Sequence, residues 1–226
     1  MTGPHLTAYL DSPDEPDGHR VAQVERARLC LLFHEMGPDA PTLCGEWDTH
    51  HLAAHLWVRE ANPWRRVNTV LPGRAFGAIE ARVAKGDYAA VVDDVRSGPP
   101  RFTIYGTPQT DKLLNTLEFF VHHEDVRRAV PTFASRQLPR WAQDEIWGQI
   151  AVFAKLTMRK SPVGIVLVPS DRDDAVLAVR GKAPAVLRGL PTELALFAYG
   201  RGEVADVDVT GSADSVARLR ETTFAV

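Results

Sequence analysis

The chain has few cysteines, no basic block and no apolar run of membrane-spanning length. Each absence removes a class of function. Only Cys30 and Cys44 occur in 226 residues, so no disulfide framework holds the fold. The 26 basic and 29 acidic residues are interleaved, giving a net charge of -3. With no basic stripe and no basic–aromatic block, nucleic-acid binding has no support. A transmembrane helix needs about 20 consecutive apolar residues, and the apolar runs are far shorter, so no membrane association is expected. The opening MTGPHLTAYLDSPDEPDGHR lacks a basic segment followed by an apolar one. No signal peptide is therefore expected, and a cytoplasmic location follows.

What is present is helical periodicity. Residues 1–19 are polar and rich in Pro, Asp and Gly, which suits a leader or extended arm. Val21, Val24, Ala27, Leu31 and Leu32 recur at helical spacing up to Met36. Gly37, Pro38 and Pro41 end that element. Asp48 or Thr49 can cap a second helix through about Ala61, with Pro63 beyond it. Ala75–Lys85 and Tyr88–Val95 are shorter helices, parted by Gly86 and closed by Gly98-Pro99-Pro100. Lys112–Val130 is the clearest helix, ended by Pro131. Arg140–Met158 follows, with Trp141, Ile146, Trp147, Ile150 and Phe153 as core candidates.

The pattern then changes. GIVLVPSDRDDAVLAV (164–179) reads as a hairpin about a polar turn. Thr192–Tyr199 reads as a helix started by Pro191 and ended by Gly200. Val204–Val209 alternates like a half-buried strand, and Ser212–Thr222 like a last helix. The expected class is α+β. A four-helix bundle fills residues 1–158, and a small α+β domain fills 159–226.

Five of the eight histidines fall in two segments, LCGEWDTHHLAAHLWVRE and DKLLNTLEFFVHHEDVRRA. At about 100° per residue, Glu118, His122 and Asp125 share a stripe with Leu114, Leu117 and Val121. A carboxylate and an imidazole on an apolar stripe are costly unless something satisfies them. His123 falls opposite, with Thr116 and Arg127, and is expected in water. In the earlier helix His55 is the inward histidine. His51 sits in the first turn at the rim, and His50 lies on the far side with Trp57, in solvent. His5, His19 and His34 carry no motif.

If the two helices are neighbours, His55, Glu118 and His122 converge. Two histidines and a carboxylate form a usual catalytic zinc set with a position left open, and bundle cores assemble such sites from facing helices. The alternative is a buried carboxylate–histidine ion pair that ties two helices together. Asp125 either holds a ligand histidine in its tautomer or pairs with Arg128. Arg59 and Arg128 border the inward faces and are either receivers of a substrate carboxylate or surface arginines. Cys44 reads as a small hydrophobe packed in a loop, Cys30 as core, and the five tryptophans as packing residues.

Three segments in order carry a resemblance. They are a W-x7-H-L step (Trp47, His55), an E-x-x-x-H-x-x-D step (Glu118, His122, Asp125) and the stretch GLPTELALFAYGRGEVADVDVTG. Together they resemble the mycothiol-dependent maleylpyruvate isomerase family of actinobacteria. That family joins a DinB-like helical bundle to a small sterol-carrier-like α+β domain. The resemblance covers nearly all the chain after about residue 20 and is nearer to a subgroup than to the isomerase itself. It implies that His55, Glu118 and His122 ligate a divalent metal, usually zinc. It also implies mycothiol or a similar low-molecular-weight thiol as cosubstrate, and Arg201 as a residue reaching toward the metal cleft. The position four residues after the Trp, often acidic in relatives, is His51 here.

The expected activity is thiol transfer or isomerisation of a small electrophile, for instance an unsaturated carboxylate. Arg59, Arg128 or Arg201 would hold its carboxylate. A non-catalytic protein with a structural metal and a metal-assisted hydrolase are the alternatives. A homodimer is compatible with the bundle.

Overall fold

The computed structural model describes residues 20–61, 73–99 and 108–224. Residues 1–19, expected as a leader or extended arm and holding His5 and His19, lie outside the described residues, as do Asn62, Pro63 and Pro100. The chain divides into two compact units, with the boundary between Arg136 and Gln137.

The first unit is helical: α1 (Val21–Met36), α2 (Thr49–Ala61), α3 (Gly73–Val83), α4 (Tyr88–Ser97) and α5 (Pro108–Arg127). Local chemistry fixes the ends. Asp48 accepts the His51 amide at 2.8 Å to start α2, and Asp87 accepts the amides of Ala89 and Ala90 to start α4. Gly37 and Gly98 close α1 and α4 with φ of 78° and 77°, a region that glycine enters without cost. Leu29, Cys30 and Phe33 of α1 meet Leu52, Ala53 and Leu56 of α2, Val91, Val92 and Val95 of α4, and Phe119 and Val126 of α5. α3 packs beside α2.

Two buried ionic networks cross this core. Arg26 on α1 bridges Glu60 of α2 (2.5 Å) and Asp111 of α5 (3.1 Å). Beyond the end of α5, Arg136 joins Glu25 of α1 (2.8 Å) and Glu124 of α5 (2.6 Å). His123 is part of the second network. Its Nδ1 donates to Glu25 at 2.7 Å, and the residue is 5% exposed. The expectation of a solvated His123 is therefore wrong. α5 lies against α1 along its length, so the side opposite its apolar stripe is also interior. Burial, with the Arg136 charge adding to it, holds the His123 pKa below its ordinary value despite Glu25.

The second unit contains α6 (Arg140–Thr157), β1 (Ile165–Pro169), β2 (Val176–Val179), β3 (Ala185–Gly189), α7 (Pro191–Ala198), β4 (Asp208–Thr210) and α8 (Ala213–Arg220). The sheet order is β2-β1-β3-β4. The expected β1–β2 hairpin forms, with Val166 opposite Leu177. β3 runs parallel to β1, with Leu167 opposite Leu187, and β4 is antiparallel to β3. Alternate residues Ile165, Leu167, Ala185 and Leu187 are fully buried.

Three expectations need correction here. α6 packs on α7 and β2, through a face that includes Ala142, Ile146 and Ile150. It belongs to the second unit, so the boundary falls before α6, not after residue 158. β3 was not foreseen, because AVLRG is short and only two of its side chains besides Ala are apolar. The expected 204–209 strand is shifted and shortened to Asp208–Thr210.

Gly200 ends α7 with φ of 83°, and a Cβ there would run into the Phe224 carbonyl. Gly200→Ala is expected to lower the unfolding midpoint of the chain measurably, by thermal or urea denaturation. Both the left-handed backbone and the collision oppose the added methyl.

Candidate metal centre

α2 and α5 bring His55, Glu118 and His122 together. His55 Nε2 lies 3.3 Å from Glu118 Oε1, and His122 Nε2 lies 3.5 Å from the same oxygen. The two imidazole centroids are 5.5 Å apart, with rings inclined at 72°. One donor atom from each of the three residues falls within 4.8 Å of the others.

The far side of each imidazole is also engaged. His55 Nδ1 is 2.8 Å from Glu80 Oε1 on α3, and His122 Nδ1 is 2.9 Å from Asp125 Oδ2. A carboxylate accepts, so Nδ1 carries a proton in each ring, and each Nε2 faces the shared Glu118 oxygen, donating a proton to it in the absence of an ion and free to turn a lone pair to a cation that displaces that proton. Arg59 Nε approaches that oxygen at 3.0 Å. The same guanidinium also donates to Asn115 Oδ1, and to the Leu114 carbonyl at 2.6 Å.

Without an ion, protons and Arg59 supply the positive charge. Burial would raise the Glu118 pKa, but Arg59 and the two histidines hold it well below the carboxylate range. Burial would lower the His122 pKa, yet hydrogen bonds to Asp125, Cys44 and Glu118 push it well above its usual value. His55 is raised as well, by Glu118 and Glu80 against the same burial penalty.

The donor set fits a divalent ion. Ligands about 2.0–2.1 Å from a tetrahedral zinc stand roughly 3.3–3.5 Å apart. The two Nε2–Oε1 separations, 3.3 and 3.5 Å, match that spacing. A second group, Cys44, His122 and Asp125, also gathers possible donor atoms. Its Sγ–Oδ2 and Nδ1–Oδ2 separations of 3.0 and 2.9 Å are those of hydrogen bonds, shorter than a ligand set needs. Cys44 is thus a donor to the carboxylate behind His122.

That corrects the reading of Cys44 as a packed hydrophobe. Its loop is fastened to α5 by the Leu43 amide, which donates to the Asp125 carbonyl at 3.0 Å. Thr42 closes the loop internally: its hydroxyl donates to the Trp47 carbonyl at 2.7 Å and accepts the Cys44 amide at 3.1 Å. The loop sets the Trp47 ring 5.1 Å from the His55 ring.

His51 and His50 are not part of this cluster. His51 is exposed and pairs with Asp48 at 2.8 Å. His50 is half-buried against Tyr88, at 5.2 Å between ring centroids, and not in open solvent. Arg128 is 4% exposed, and its Nε donates to Glu124 at 2.5 Å. Burial and that ion pair argue against its receiving a substrate carboxylate. Arg59 lies at the centre, but its guanidinium serves Glu118, Asn115 and Leu114. Arg201 belongs to the second unit, where Nη1 donates to the Tyr199 carbonyl at 2.5 Å. Glu80 was not singled out in the sequence: a glutamate on a short amphipathic helix gives no signal of its own.

No family model matches the sequence, and no curated protein matches it. Among solved structures, the chain is similar to the mycothiol-dependent maleylpyruvate isomerase. The TM-score is 0.56 and the identity 19%, over 94% of this chain and 96% of that one. A variant of that isomerase with one histidine changed to alanine gives 0.54 and 20%, over the same shares. The likeness establishes a shared α+β fold, one that an isomerase also uses. Among the described residues, no helix is long and apolar enough to cross a membrane.

Proposed function

We propose that this chain is a metal-dependent, thiol-using enzyme of the maleylpyruvate isomerase type, acting on a small electrophilic molecule. The observation that carries the reading is the convergence of His55 Nε2 and His122 Nε2 on Glu118 Oε1, with both Nδ1 atoms tied back to carboxylates. His55, Glu118 and His122 would hold the ion, zinc being the best match to two imidazoles and one carboxylate. When bound, the ion supplies Lewis acidity that favours the thiolate form of a thiol cosubstrate near neutral pH.

The residues supply the rest. Two neutral imidazoles and one carboxylate would offset only one charge of a bound dication, leaving a site of about +1 that would favour an anionic ligand such as a thiolate. Arg59 keeps Glu118 ionised and fixed. Trp47 covers one flank of His55. The thiolate attacks an alkene conjugated to a carbonyl, and the new carbon–sulfur bond turns the double bond into a rotatable single bond. Rotation and loss of the same thiolate return the alkene in trans form, with no net change in atoms or electrons. With a leaving group in place of the alkene, the same attack forms a carbon–sulfur bond as the bond to the leaving group breaks and that group departs with the electron pair, giving a thioether conjugate.

The test combines metal analysis with turnover. The purified protein is expected to hold close to one equivalent of metal, and His55→Ala to lose it. Isomerisation of maleylpyruvate, or conjugation of an electrophile, is expected only with a low-molecular-weight thiol present, mycothiol first. Metal that survives His55→Ala would refute the ligand set. Turnover of esters or amides without thiol would replace this reading with metal-assisted hydrolysis.

A further inference from the structure

Glu80 is not in the proposed ligand set, yet it lies 2.8 Å from His55 Nδ1, closer than the 3.3 Å between His55 Nε2 and Glu118. Its side chain is only 16% exposed, against 21% for His55 itself. A carboxylate so covered needs a partner, and the His55 N–H is the partner the structure provides. We infer that Glu80 is a positioning residue of the metal centre, fixing the tautomer and ring orientation of His55 from α3, which holds none of the three proposed ligands. The inference rests on the metal-centre reading above.

The physical reason lies in the imidazole. A free neutral ring exchanges its proton between Nδ1 and Nε2. With the proton on Nε2, the ring would turn an N–H toward the cation and could not bind it. A carboxylate on Nδ1 removes that tautomer, halts rotation of the ring and raises the basicity of Nε2. His122 obtains this support from Asp125, one turn along its own helix. His55 has no acid one turn away: residues 51, 52, 58 and 59 are His, Leu, Val and Arg. Its support arrives instead from α3, 25 residues on in the chain. The two ligand histidines are therefore wired alike, and Glu80 makes α3 part of the centre.

The experiment uses the full chain, stripped of metal by dialysis against chelator. Zinc affinity is measured by competition with a chromophoric chelator for wild type, His55→Ala, Glu80→Ala and Glu80→Gln. Glu80→Ala is expected to weaken zinc binding by about 10- to 100-fold. Glu80→Gln is expected to lose less, since an amide oxygen still accepts the Nδ1 proton without the charge. A second readout separates positioning from general damage. In zinc-loaded wild type, the His55 Nδ1–H proton gives a slowly exchanging downfield NMR signal. That signal shifts in Glu80→Gln and is lost to exchange in Glu80→Ala, while the urea midpoint of the metal-free protein stays within error of wild type. If Glu80→Ala does not fold, Glu80→Gln alone decides. Both variants within twofold of wild type, with His55→Ala devoid of zinc, would overturn the role of Glu80 and leave the metal centre intact. A wild type that binds no zinc would overturn both.

Discussion

Glu118→Ala is expected to abolish stoichiometric metal binding and also to destabilise the metal-free protein, by about 2 kcal/mol. The reason is that one oxygen serves three partners. Oε1 faces His55 Nε2 at 3.3 Å, His122 Nε2 at 3.5 Å and Arg59 Nε at 3.0 Å. Removing it leaves two imidazoles with raised affinity for protons and a guanidinium, with their shared anion gone. Glu118→Gln separates the two effects: an amide keeps an acceptor for Arg59, so stability is largely retained, but the charge that completes the ion's shell is lost. Metal analysis and urea unfolding of the stripped proteins measure both quantities. A Glu118→Ala protein that retains one equivalent of metal would remove Glu118 from the ligand set.

The largest loss of stability is expected at Glu25, which is not among the proposed ligands. Glu25 is fully buried and accepts from Arg136 Nη1 at 3.0 Å, Arg136 Nη2 at 2.8 Å and His123 Nδ1 at 2.7 Å. Glu25→Ala strands a buried guanidinium side and a buried imidazole N–H. Breaking a buried pair by deleting one partner costs about 3–5 kcal/mol, which urea unfolding monitored by circular dichroism will resolve. Burial would raise the Glu25 pKa, but Arg136 and His123 bring it down to about 2. The sign follows from linkage. A carboxyl with a depressed native pKa adds stability above its unfolded value, and that stability fades as pH falls toward the native value. His123, depressed by burial, acts in the same direction from the ordinary histidine range downward, because the unfolded chain takes up that proton first. Wild type is therefore expected to lose stability on acidification below about pH 6.5 and more steeply from about 4.5 toward 2. Glu25→Ala flattens the lower limb. An unfolding midpoint that does not move between pH 6 and pH 3 would contradict this account.

The helices of the first unit were largely legible, because their apolar residues recur at helical spacing and their ends carry Asp, Gly or Pro. The stripe of Glu118, His122 and Asp125 was legible for the same reason: periodicity places side chains on a face of one element. It failed at His123. A projection assumes one wet side, and α5 is buried on both. Its polar residues Asn115, Thr116, His123 and Glu124 are all interior, like Leu117 and Phe120. The small unit was less legible. β3 is a central strand of five residues, too short to announce its period, and α6 gives no sign of which neighbour covers it.

By itself, the sequence determined that two segments of regular helix place imidazoles and a carboxylate on inward faces. A helix repeats over a few residues, and the order of apolar and polar residues is enough to read the repeat. Only the tertiary structure decided that these groups share one oxygen, that Glu80 from a third helix and Cys44 from a loop stand behind the ring nitrogens, and that Arg128 is kept away by Glu124. Those contacts join positions tens of residues apart, and chain packing, which no local pattern encodes, brings them within hydrogen-bond reach.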